Sequence, residues 1–148
     1  MLKQRIITAL VLLAILLPAL FASSPEPFCA VTLVLMVAGA WEWGRMNGYG
    51  PKSALMIGMD CLVLCAASWK LDWLTAALPL FWSIVGAVWV LGAALLLRRG
   101  VPGWADIPKT VRVVGGVLAL WAAWLAVAQS RFIGINFLLS ILALVWMA

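Results

Sequence analysis

Phe137-Leu-Leu-Ser-Ile-Leu-Ala-Leu-Val-Trp-Met-Ala148 ends this chain on unbroken hydrophobicity, with Ser140 as its single polar side chain and no charge or turn residue after it. A helix built from it is apolar on every face, so it belongs in the interior of a bilayer rather than on the surface of a soluble domain. A closing membrane span usually carries polar or basic flanking residues that hold its end at the headgroups. Their absence here leads to the expectation that residues 1–148 are one transmembrane region, the N-terminal part of a longer membrane domain.

The same pattern recurs upstream. Six apolar runs are read, Ile6–Phe21, Phe28–Trp43, Ser53–Trp69, Trp73–Leu97, Val111–Ala128 and Phe132–Ala148. Most lie near the lower limit of about 17 residues for crossing the hydrocarbon core. The fourth is longer and is expected to tilt or to carry an interfacial end. Composition agrees: 67% of residues are hydrophobic and 10% charged, against about 25% charged in a soluble domain. Too little polar surface remains to cover the chain in water, and no run has the alternation of an outer-membrane barrel strand. The expected fold is all-α, a polytopic helical membrane protein of about six transmembrane helices.

Charge sets the expected orientation. Lys3 and Arg5 precede the first run, Arg45 and Lys52 lie in the second connection, and Arg98, Arg99, Lys109 and Arg112 lie in the fourth. The odd-numbered connections hold only Lys70 and Arg131. The positive-inside rule then places the N-terminus in the cytoplasm, and six crossings return the far end to the same side. Asp60 interrupts the third run. A central Asp costs about 2.5–3.5 kcal/mol, which Leu55, Ile57, Leu62, Val63 and Leu64 roughly cancel at about 0.3–0.6 kcal/mol each. If that run failed to cross, the cations of the fourth connection would fall outside, so six crossings are kept. The first run also fits a cleaved signal peptide, with Ile6–Leu17 as core and Ala22-Ser23-Ser24 as cleavage site.

The net charge of +5 does not point to nucleic acid, because the cations are scattered between apolar runs without a basic helix or interleaved aromatics. Topology and anionic lipid account for them. Cys61 and Cys65 share a helix face at i, i+4, but two thiols without any His cannot complete a zinc site. With Cys29 they read as small buried hydrophobes. The lack of His also removes Ser–His and Cys–His nucleophile pairs. No two carboxylates lie close enough in sequence for a two-metal site.

A few residues stand out as site candidates. Asp60 is either an intramembrane functional carboxylate or a hydrogen-bonded packing residue, paired with Ser68 or another helix. Trp41, Glu42 and Trp43 read as an interfacial anchor with an i, i+3 pair from Glu42 to Arg45, or as a carboxylate near an anionic headgroup. Gly48-Tyr-Gly-Pro-Lys52 is a turn between helices rather than a phosphate loop, lacking the spacing and the preceding strand. Arg98, Arg99, Lys109 and Arg112 are lipid-headgroup candidates. Gly115, Ala119 and Ala123 form a small-residue stripe for helix packing within the chain or in a homo-oligomer.

Three stretches carry a family resemblance. Met1-Leu-Lys-Gln-Arg-Ile-Ile-Thr-Ala-Leu10, Ala40-Trp-Glu-Trp-Gly-Arg-Met-Asn-Gly48 and Leu144-Val-Trp-Met-Ala148, in this order, resemble the N-terminal half of bacterial phosphatidate cytidylyltransferases. The resemblance implies a multi-pass protein of the bacterial inner membrane that takes part in phospholipid biosynthesis, with CTP and phosphatidate as substrates and CDP-diacylglycerol and pyrophosphate as products. It also implies Mg²⁺, held by carboxylates of the family's C-terminal half. No catalytic or metal-binding residue is carried over onto this chain. Two other readings stand beside it: a small membrane interaction protein that packs through the small-residue stripe, and a transporter-type subunit that uses Asp60.

Overall fold

A computed structural model describes residues 2–147, which form six helices: α1 Leu2–Leu20, α2 Glu26–Met46, α3 Pro51–Lys70, α4 Pro79–Ala105, α5 Lys109–Ile133 and α6 Ile135–Met147. Proline in the first turn starts α2, α3 and α4, where its missing N–H is no loss and its fixed φ suits the helix. Four segments, Glu26–Met46, Pro51–Lys70, Pro79–Gly100 and Lys109–Ile133, are long and apolar enough to cross a membrane. The fold is thus all-α and that of a polytopic membrane protein. The outer two apolar segments, Ile6–Leu20 and Ile135–Met147, are shorter.

The core is a three-helix seam of α2, α3 and α5. Antiparallel α2 and α3 approach closely because their facing residues are small. A Cβ at Gly44 would stand 3.2 Å from the Ala54 Cα, and one at Gly58 would stand 3.3 Å from the Val37 carbonyl oxygen. Cys29, Ala40, Ala54, Cys61 and Cys65 are fully buried beside them. The thiols therefore act as small packing groups. Trp124 of α5 fills the space they leave, and its indole N–H donates to the Cys29 carbonyl at 3.1 Å. α1 packs on α2 and α6 on α5, joined through Leu20, Phe28 and Leu138. α4 stands on the outside, with no buried residue between Pro79 and Gly100.

Two run boundaries differ from expectation. The fourth run was expected to begin at Trp73, but the chain turns over residues 71–78, with Asp72 at φ 58°, and the helix begins at Pro79. Trp73 folds back against Phe81 and Trp121, at centroid distances of 5.8 and 6.1 Å. The excess length at the other end is a bend at Gly100 (φ 66°), a left-handed conformation that glycine adopts without a Cβ penalty.

The second difference is at Arg131, expected in a connection. It lies in the last turn of α5, 9% exposed, and donates to the Ala22 carbonyl at 2.6 Å. The polar sequence Gln129-Ser130-Arg131 looked like a helix end, yet each side chain has a local or tertiary partner. Ser130 bonds back to the Ala126 carbonyl, so the helix continues to Ile133.

Gln129 holds the α3–α4 connection. Its amide accepts from the Trp82 indole at 2.8 Å and donates to the carbonyls of Trp73 and Ala76. Gln129→Leu should leave two carbonyls and one indole N–H without this partner. At about 0.6 kcal/mol per membrane hydrogen bond, a destabilisation of about 2 kcal/mol is expected. It should be localised as faster hydrogen exchange across residues 71–78; a uniform change over all helices would contradict it.

Candidate functional site

The α2–α3 turn and the α4–α5 elbow meet at one end of the bundle. Trp43, in the last turns of α2, donates its indole N–H to the Arg112 carbonyl on α5 at 3.2 Å. Its ring packs edge-on against Trp104, at 6.3 Å and 67°, which the Gly100 bend brings back over the bundle. The Arg112 guanidinium lies over Trp104 at 5.8 Å from the ring centroid. Beside it, Lys109 donates to the Gly48 carbonyl at 2.7 Å and sits 3.9 Å from the Tyr49 ring centroid. Gly48-Tyr-Gly-Pro-Lys52 is thus a turn pinned by α5, in line with the reading of it as an inter-helix connection.

Below this rim, α2 and α5 leave an open groove of about 310 Å³ lined by Gly39, Glu42, Trp43, Met46, Gly116, Ala119 and Leu120. It exists because small residues face each other across the two helices. The Trp43 indole lies directly against Gly116, where any Cβ would collide with the ring. A basic, aromatic rim above an apolar groove has the chemistry of an amphiphile site: cationic donors suit a phosphate and the slot suits alkyl chain.

The sequence candidates separate into two groups. Trp43, Glu42, Lys109 and Arg112 come together at this end. Arg98 and Arg99 reach it on the last turn of α4 before the bend, exposed, with the Arg99 stem lying along Gly103. Trp41 also sits here, but Arg45 is directed onto the Trp41 ring at 5.1 Å, where the sequence reading paired it with Glu42. Asp60 lies elsewhere, exposed on the outer face of α3 with Met56, Met59 and Val63. Its expected partner Ser68 is occupied, donating to the Leu64 carbonyl and accepting from the Trp121 indole at 2.9 Å. Of the small-residue stripe, Ala119 lines the groove, whereas Gly115 and Ala123 are exposed.

Asp60→Leu is expected to favour insertion of α3 by about 3 kcal/mol on the insertion scale. Glycosylation mapping of that helix measures it. Unchanged insertion would mean that the carboxylate is not held in hydrocarbon.

Comparison with known proteins decides the family. The model of the cytidylyltransferase family matches residues 3–148, which is nearly the whole chain. The chain belongs to the cytidylyltransferase family. It is 33% identical over 154 residues to the phosphatidate cytidylyltransferase of Pseudomonas aeruginosa, covering 99% of this chain and 54% of that protein. It therefore spans about half the length of the curated relative it matches. No solved structure matches it. Within this cytidylyltransferase-family chain, sequence reasoning missed Gly100, Trp104 and Gly116. Pro102-Gly103-Trp104 after a basic pair was the available signal for an elbow; Gly116 had none, because only the fold brings Trp43 to it.

Proposed function

We propose that residues 1–148 are the N-terminal membrane part of a phosphatidate cytidylyltransferase of the bacterial cytoplasmic membrane, with α1 and α6 completing six crossings and the basic end facing the cytoplasm. The family match over residues 3–148 carries this reading, and the relative's name supports its substrate class. In that reaction a phosphate oxygen of phosphatidate attacks the α-phosphorus of CTP. CDP-diacylglycerol forms and pyrophosphate leaves. The part played by this chain is to scaffold the catalytic portion and to help form a lipid-accessible cavity. Pairing of two copies through the exposed Gly115 and Ala123 belongs to the same reading.

Mg²⁺, implied by the family resemblance, would neutralise charge on the nucleotide. Among the described residues no group of three or more His, Cys, Asp or Glu gathers to hold a metal ion, so these residues do not fit that site.

The test is CTP-dependent formation of CDP-diacylglycerol in membranes carrying the parent protein, with the 148-residue chain alone expected to be inactive. A folded parent that forms none would remove the reading. Orientation is tested with Lys52→Cys and Lys70→Cys, both at exposed positions. An impermeant maleimide should label position 70 in cells whose inner membrane is intact, and position 52 only after lysis. The reverse pattern would invert the topology.

A further inference from the structure

We propose that the α2–α5 groove and Arg112 together bind one anionic phospholipid of the bilayer as a resident component. Its acyl chain lies along Gly39, Gly116 and Ala119, and its phosphate meets the Arg112 guanidinium. This goes beyond nucleotidyl transfer, since a lipid that cannot react fills the same site.

Three observations converge on it. The groove is open along the bundle side, and Trp43, which lines it, is hydrogen-bonded to the Arg112 carbonyl, so an amphiphile lying in it has its polar group at the basic rim. Arg112 is half-buried, its guanidinium lies over Trp104 at 5.8 Å from the ring centroid, and no group among the described residues accepts a hydrogen bond from its side chain. Its neighbours are occupied, Lys109 by the Gly48 carbonyl and the Tyr49 ring, and Arg45 by Trp41. A cationic N–H without an acceptor is costly, and a phosphate oxygen is a strong partner for it.

Charge complementarity chooses the occupant. This end carries Arg45, Lys52, Arg98, Arg99, Lys109 and Arg112 against Glu42 and Asp106, a surplus of positive charge at the depth where anionic headgroups lie. Glu42 also lines the groove and works against the phosphate. Removing its charge should therefore tighten binding.

Native mass spectrometry of the full parent protein, titrated with phosphatidylglycerol or phosphatidylcholine, tests the site. Phosphatidylglycerol is expected to bind about tenfold more tightly, the scale of one charge-assisted hydrogen bond. Arg112→Gln should erase that preference. Arg45→Gln removes the same charge from the same end and should change it less than about twofold, as expected for a charge outside the groove. Equal losses in the two variants, or no preference in the wild type, would overturn the site. If Arg112→Gln does not fold, Glu42→Gln decides: tighter phosphatidylglycerol binding supports the proposal, and no gain overturns it.

Discussion

Trp124→Ala is expected to be the most destabilising aromatic truncation in the chain, at about 2–3 kcal/mol. In a soluble core such a change costs about 3–5 kcal/mol, as lost transfer energy plus a cavity. Inside a bilayer the transfer part largely vanishes, because lipid is as apolar as the core, and van der Waals packing remains. Trp124 is fully buried, its ring lies 6.2 Å from that of Trp69, and its N–H reaches the Cys29 carbonyl. Ala would open a void against Cys29, Cys61 and Cys65 that these small side chains cannot fill. Trp124→Phe keeps most of the ring and loses the hydrogen bond, at about 0.6 kcal/mol. Trp89, 67% exposed on α4, gives the control: its change to Ala should stay within about 0.5 kcal/mol. Reversible unfolding in mixed micelles measures all three, and similar losses for Trp124→Ala and Trp89→Ala would refute the seam as the core.

Gly116→Leu should cost about 2–4 kcal/mol, while the adjacent Gly115→Leu should be nearly neutral in this chain. A Cβ at residue 115 meets nothing within 4 Å, whereas one at residue 116 collides with the Trp43 indole. Relieving that overlap moves the indole off the Arg112 carbonyl and away from Trp104. Overpacking contributes about 1–3 kcal/mol, and the lost edge-on aromatic contact about 0.5–1.5 kcal/mol. The effect should also be local: Trp104 becomes more open to aqueous quencher, and protease cleaves faster after Arg98-Arg99. In the double variant with Trp43→Ala, part of the loss should return because nothing remains to collide. Equal stability of the two single leucine variants would show that the indole does not sit on residue 116.

How far the sequence reached differs between the helices and their faces. Six apolar runs foretold six helices, because backbone in a hydrocarbon core must satisfy its own hydrogen bonds and an apolar run leaves it one way to do so. The ends were less legible. Trp73 reads as part of a span by hydropathy, yet its ring serves a loop-side aromatic cluster. Arg131 reads as an end, yet its guanidinium donates to a carbonyl more than one hundred residues earlier. Neither contact has a local signal.

Helix faces were the hardest. In water, polar residues mark the outside of a helix; in a membrane both sides are apolar, so periodicity does not separate core from lipid. The stripe at Gly115, Ala119 and Ala123 looked like the packing seam. The close approach within the chain runs instead through Gly44, Gly58, Cys61 and Cys65, with Ala119 left on a groove. The candidate site was half legible: Glu42, Trp43, Lys109 and Arg112 were named from charge and aromatic placement, while Gly116, Trp104 and the bend at Gly100 were not.

By itself the sequence determined the class, the number of helices, the cationic excess of alternate connections and the family resemblance, since each is a local or additive property of the chain. Only the tertiary structure decided which small residues let helices touch, that Trp43 lines a groove while bonded to the Arg112 carbonyl, and that Asp60 faces outward. Those depend on how helices rotate about their axes. In a chain apolar on nearly every face, that rotation is set by the fit of side chains such as Trp43 and Trp124 into gaps that residues distant in sequence leave for them.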